Sequence, residues 1–141
     1  MIDLELGENI SIIHKNRGSR GGGVAILFDK SKCRLGEYKI TGNPAEVVAA
    51  VGKFNGDTRK VLVMSVYLPQ KIKAERLQAT LEAIELTISR VKSENTDPYI
   101  FIGGDFNGLD FNPAIRAFPD MAEVDSPPTR GAARLLSLIH I

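Results

Sequence analysis

Between Lys60 and Ile102 the chain changes its apolar period twice, and this stretch limits the fold more than any other. "KVLVMSVYL" (60–68) is almost continuously apolar, as a buried strand is, and Pro69 stops it. Leu77, Leu81, Ile84, Ile88 and Val91 then recur at steps of four, three, four and three. That spacing puts them on one helical face, with Glu75, Arg76, Glu82, Glu85 and Lys92 largely elsewhere. It predicts a helix over 72–93, closed by "NTDP". "YIFI" (99–102) has no polar face and predicts a central strand covered on both sides.

The flanking sequence adds strands. "ISIIHK" (10–15) and "VAILF" (24–28) read as two of them, joined by the glycine-rich "NRGSRGGG". "CRLGEYKI" (33–40) is less apolar and suits a sheet edge. "EVVAAVGKF" (46–54) and "KVLVMSVYL" flank "NGDTR", whose Asn55-Gly56 signals a hairpin. "NPAIRAF" (112–118) fits a short helix with Pro113 in its first turn, and "PDMAEVDSPPTRGAARL" after it reads as irregular. Strands in pairs, then a helix, then a buried strand describe a mixed α/β sandwich and not a regularly alternating parallel fold.

The totals fix fewer things. A chain of 141 residues suits one domain, and a net charge of +1 neither demands nor excludes a polyanionic partner. Cys33 is the only cysteine, so neither an internal disulfide nor a cysteine-rich metal site is available. The opening Met1-Ile2-Asp3-Leu4-Glu5 is acidic where a secretory signal is basic. No apolar run approaches the ~18 residues of a membrane span. These features lead to the expectation of a soluble protein in a reducing compartment, without a membrane partner.

Chemistry concentrates after the last predicted strand, in "GGDFN" (103–107). Asp105 and Asn107 are two apart, so an extended chain presents both on one side. A carboxylate suits a hard cation such as Mg²⁺, or orients an attacking water. An asparagine amide donates hydrogen bonds to a developing negative oxygen. Gly103 and Gly104 leave room for a phosphate to approach the backbone. The plainer alternative is a polar turn after a core strand. A calcium loop fits poorly, because Asp110 stands where the EF-hand pattern has glycine. Tyr67, at the end of a strand, can keep its ring in the core and direct its hydroxyl to the rim that carries Asp105, or can be an ordinary core tyrosine. Lys15, Arg17 and Arg20 cluster beside a flexible turn and suit a phosphate backbone as well as they suit solvent. The glycines there match neither GxGxxG nor a Walker loop. Thr129 and Arg130 in "PPTRG" suit a surface loop, from which Arg130 could reach phosphate.

Taken in order, "RGGGVAI", "VYLP", the amphipathic helix, "IGGDFN" and "FPD…PPTRG" resemble the endonuclease/exonuclease/phosphatase superfamily. More narrowly, they are similar to the endonuclease domains of non-LTR retrotransposons, over roughly Leu4 to Leu135. The resemblance implies an α/β/β/α sandwich of two mixed sheets flanked by helices, here incomplete. It implies phosphodiester hydrolysis with Mg²⁺ or Mn²⁺ on DNA, a nuclear, intracellular setting, and a reverse transcriptase in the full-length protein. Asp105 and Asn107 would serve catalysis and the metal, Tyr67 would contact the phosphate, and Arg20, Thr129 and Arg130 would bind substrate. Family members also carry an earlier metal-binding glutamate and a later Ser-Asp-His motif, which these 141 residues lack. The isolated chain is therefore expected to be inactive, because such groups act as a unit. The other readings are a non-enzymatic nucleic-acid or protein binding module, and a relative acting on lipid or small-molecule phosphates. Residues 1–135 are expected to form the partial domain. "LSLIHI" (136–141) matches a translated sequencing adapter and is expected to be a foreign tail. His140 is set aside with that tail, and His14 is read as structural.

Overall fold

The computed structural model describes residues 8–16, 23–42, 46–69, 71–105, 121–124 and 135–140. Strands β1 (Ile10–Asn16) and β2 (Gly23–Asp29) form an antiparallel pair. Strands β3 (Cys33–Tyr38), β4 (Val47–Phe54), β5 (Lys60–Tyr67), β6 (Tyr99–Asp105), β7 (Met121–Val124) and β8 (Leu135–His140) form a second sheet in the order β3-β4-β5-β6-β8-β7. Only β5 and β6 are parallel in it; helix α1 (Ala74–Glu94) makes their crossover. The mixed α/β architecture is as expected, with three of the expected four layers among the described residues.

Strand alternation sorts the core into two halves. Val47, Ala49, Leu62, Met64, Val66, Ile100 and Ile102 point to the α1 side and pack with Ile84, Ile88 and Val91. Each fully buried Val, Leu, Ile or Met among them contributes roughly 1.5–3 kcal/mol. Val48 and Ala50 point the other way and pack with Val24 and Ile26 of β2, with Val63 and Tyr67 at the margin. Thus β4 and β5 are covered on both faces, which is why "EVVAAV" and "KVLVMSV" are so uniformly apolar. Thr80 and Thr87, buried on α1, satisfy their hydroxyls on the carbonyls of Arg76 and Ala83, so no polar atom is stranded there.

The Asn55-Gly56 hairpin exists, with "NGDTR" as the segment between β4 and β5. Phe54 accepts the Asp57 N–H, Asp57 in turn accepts the Arg59 N–H, and the first paired residues are Lys53 and Lys60. One expectation changes: the stretch expected to be irregular contributes β7 and the start of β8. Leu136–His140, within the segment expected to be a foreign tail, forms β8 together with Leu135 and pairs between β6 and β7, which leaves its origin untested. The helix expected at 112–118 lies outside the described residues.

Candidate functional site

The parallel pair β5–β6 places its carboxyl ends together. In open α/β sheets this is the side on which ligands bind. Tyr67 ends β5, Asp105 ends β6, and the two are register partners. Register partners on neighbouring strands share a face. That face is the β1–β2 side, because Tyr67 packs with Val48, Ala50, Val24 and Ile26. Backbone bonds hold the row level: Leu68 N–H donates to the Asp105 carbonyl at 2.8 Å, and Tyr67 N–H donates to the Glu46 carbonyl at 3.0 Å. The phenol and the carboxylate therefore start from adjacent strand ends, about 4.8 Å apart, and do not diverge to opposite ends of the fold.

The second of those bonds identifies a residue that the sequence reading missed. Continuing the β4–β5 register beyond Val47↔Val66 sets Glu46 opposite Tyr67. Glu46 is only 6% exposed, one of very few buried charged or polar side chains among the described residues. Glu46, Tyr67 and Asp105 thus form one row across three strands, on one face. Ser65 and Gly103, two residues back on β5 and β6, lie behind it. The available signal was a lone glutamate at the head of "EVVAAV". A two-residue turn at Asn55-Gly56 would have set Pro44 against Tyr67, and the observed longer turn moves the register by two.

Glycine has a firmer reason at position 104 than access for phosphate. A Cβ there would lie 1.8 Å from the Val66 carbonyl oxygen, and φ is +157°. The backbone of β5 occupies the space where a side chain would go, so Gly104 lets β5 and β6 close up immediately before Asp105. Asn107, Arg20, Thr129 and Arg130 lie outside the described residues, as does Arg17. Tyr67 and Asp105 are the two expected site residues that the structure brings together.

The donor set fits a hard divalent cation in kind. Asp105, Glu46 and the Tyr67 hydroxyl offer oxygen only, and Mg²⁺ is typically held through one or two carboxylates plus substrate phosphates and water. No group of three or more His, Cys, Asp or Glu side chains placed to hold a metal occurs among the described residues. No helix among them is long and apolar enough to cross a membrane. A cleft of about 440 Å³ lies at the other end of the sheet, lined by Phe54, Asn55, Gly56, Asp57, Tyr99 and Phe101. It is remote from Tyr67 and Asp105 and takes no part in the site.

No protein-family model matches the chain, and no curated protein matches it by the same standard. Solved structures do. The human Nocturnin catalytic domain, determined with a bound sulfate anion, is similar with a TM-score of 0.68 at 12% identity, over 94% of this chain and 61% of that one. An endonuclease/exonuclease/phosphatase family protein from Bacteroides thetaiotaomicron gives 0.60 at 13%, over 93% and 61%. TDP2 from D. rerio, complexed with a single-strand DNA product, gives 0.55 at 12%, over 94% and 62%. These likenesses show that the fold is the endonuclease/exonuclease/phosphatase fold. The chain spans about three fifths of the length of each of these neighbours.

Proposed function

We propose that the rim carrying Tyr67 and Asp105 is one wall of the active site of a divalent-cation-dependent phosphodiesterase, a DNA-nicking endonuclease of the non-LTR retrotransposon type. The observation that carries this reading is the Tyr67↔Asp105 register at the carboxyl ends of β5 and β6, in a fold shared with a protein solved with a DNA product. The order of "RGGG", "GGDFN" and "PPTRG" supports the retrotransposon branch. A nuclear location and a reverse transcriptase in the same polypeptide go with that branch.

In this reading a water oxygen attacks phosphorus, the bond to the leaving oxygen breaks, and the leaving oxygen takes up a proton. Asp105 orients the water and receives its proton. The Tyr67 hydroxyl donates to a non-bridging phosphate oxygen, and the Asn107 amide donates where negative charge builds. A bound Mg²⁺ or Mn²⁺, held by Asp105 and Asn107 with Glu46 close by, would supply charge neutralisation at the phosphate. The backbone carbonyl of Glu46 accepts the Tyr67 N–H and so holds the end of the strand that carries the phenol.

The activity is assigned to the full-length protein; residues 1–141 alone are expected to nick weakly or not at all. Nicking of supercoiled plasmid with Mg²⁺ tests the reading in the full-length protein. Asp105→Ala is expected to cut the rate about 10²–10⁴-fold, the usual range for a positioned acid–base group. Asn107→Ala should cost about 10²–10³-fold, as for a lost oxyanion donor. Equal rates for the wild type and both variants would remove the site. No nicking by the wild type, with hydrolysis of a lipid or nucleotide phosphate instead, would move the substrate outside nucleic acid.

A further inference from the structure

Three basic side chains stand in a row at the other end of the main sheet. Arg34 on β3 faces Lys53 on β4, and Lys53 faces Lys60 on β5. Tyr38, Val51 and Leu62 pack on the α1 side, so alternation puts Arg34, Lys53 and Lys60 on that side too. Lys32, whose carbonyl accepts the Asn55 N–H, stands beside the row, two residues before Arg34 along the chain. Arg34, Lys53 and Lys32 are exposed.

Like charges directly opposite each other destabilise a sheet. The nearby acids take their hydrogen bonds elsewhere, although Asp29 also feels the charge of Lys32. Glu94 accepts from the Tyr38 hydroxyl, Asp97 pairs with Arg59, Asp57 accepts from Arg59 N–H and the Tyr99 hydroxyl, and Asp29 accepts from Ser31. Among the described residues no hydrogen bond or ion pair involves the side chains of Arg34, Lys53 or Lys60. Strands lie about 4.8 Å apart, so three uncompensated cations occupy about 10 Å. Lys60 is seven residues from Tyr67 along β5, roughly 23 Å, and on the opposite face.

We infer that this row is a second nucleic-acid contact, which grips the phosphate backbone of a duplex away from the scissile ester and without regard to sequence. Duplex DNA carries one charge per roughly 1.7 Å of axis, and a line of flexible cations meets it without needing a shaped pocket. An acidic protein partner would be anchored by buried aromatic or apolar side chains. The exposed Phe54 lies on the other face instead, edge-on to Tyr99. The inference does not depend on the hydrolytic reading, since it concerns binding without a divalent ion.

Fluorescence anisotropy of a labelled 20-base-pair duplex, titrated with this chain in EDTA over a range of NaCl, tests it. The slope of log K against log[salt] should fall in magnitude by about 2.7 in Arg34→Gln/Lys53→Gln/Lys60→Gln, and by about 0.9 in Lys53→Gln alone. Arg76→Gln, which removes an exposed cation near the start of α1 and away from the row, should leave the slope unchanged. Unchanged slopes in both glutamine variants, or no salt-dependent binding by the wild type, would overturn the inference. So would displacement of the duplex by polyglutamate at equal charge concentration, which would reassign the row to an acidic protein.

Discussion

Two glycines that look alike in the sequence carry opposite demands. At Gly104 an added methyl group meets the Val66 carbonyl oxygen at 1.8 Å, a backbone atom that cannot swing away. At Gly36, on the edge strand β3, nothing lies within 4 Å of the same added atom. Gly104→Ala is therefore expected to lower stability by about 1–3 kcal/mol or more, as overpacking does. Gly36→Ala should raise it by roughly 0.5–1 kcal/mol, since alanine loses less conformational freedom in a strand. Urea unfolding of the two variants checks this; equal midpoints would mean that β5 and β6 do not close up at 104. The sequence suggested phosphate access as the reason for glycine before Asp105, and the structure adds the Val66 carbonyl as a second one. Phosphate access and backbone contact make the same demand on a one-dimensional string, and only the pairing of β5 with β6 separates them.

Among the elements, the hairpin between β4 and β5 sets the register and so decides what stands beside Tyr67. Its tip is held by Asp57, whose carboxylate accepts the Arg59 N–H at 2.8 Å and the Tyr99 hydroxyl at 3.1 Å. The Arg59 guanidinium lies over the Tyr99 ring at 3.9 Å. The Arg59 backbone N–H, with smaller help from the Tyr99 hydroxyl and the Arg59 charge, holds the Asp57 carboxyl below the usual carboxylate range. A depressed folded pKa contributes stability above the unfolded value, near 3.9, that is lost as pH falls through the folded one. The unfolding midpoint of Asp57→Asn should accordingly change less than that of the wild type between about pH 5 and pH 3. Parallel curves would show that Asp57 does not brace the turn. Strand positions were legible because apolar runs bounded by Gly, Pro and Asn leave few choices. Glu46 was not legible as a site residue, because a six-residue connection places it opposite Tyr67 and a two-residue one would not.

For the whole molecule, the helix, the six-stranded sheet and the β1–β2 pair form three stacked layers. The proposed site stands at the carboxyl ends of β5 and β6. The fold class followed from the change of period between 60 and 102. The order of the layers did not, since alternation gives each strand two faces without naming what covers them. The site was legible only in part: Tyr67 and Asp105 were readable as strand ends, while their shared face needed the register. The central claim is that this rim holds a divalent ion, and paramagnetic broadening of backbone amide signals of this chain by Mn²⁺ tests it directly. The account predicts that amides at Glu46, Tyr67, Leu68 and Asp105 broaden first, with those of Arg34, Lys53 and Lys60 unaffected at the same concentration. Broadening centred at the Arg34–Lys60 end, or uniform weak broadening with no preference for the rim, would contradict it.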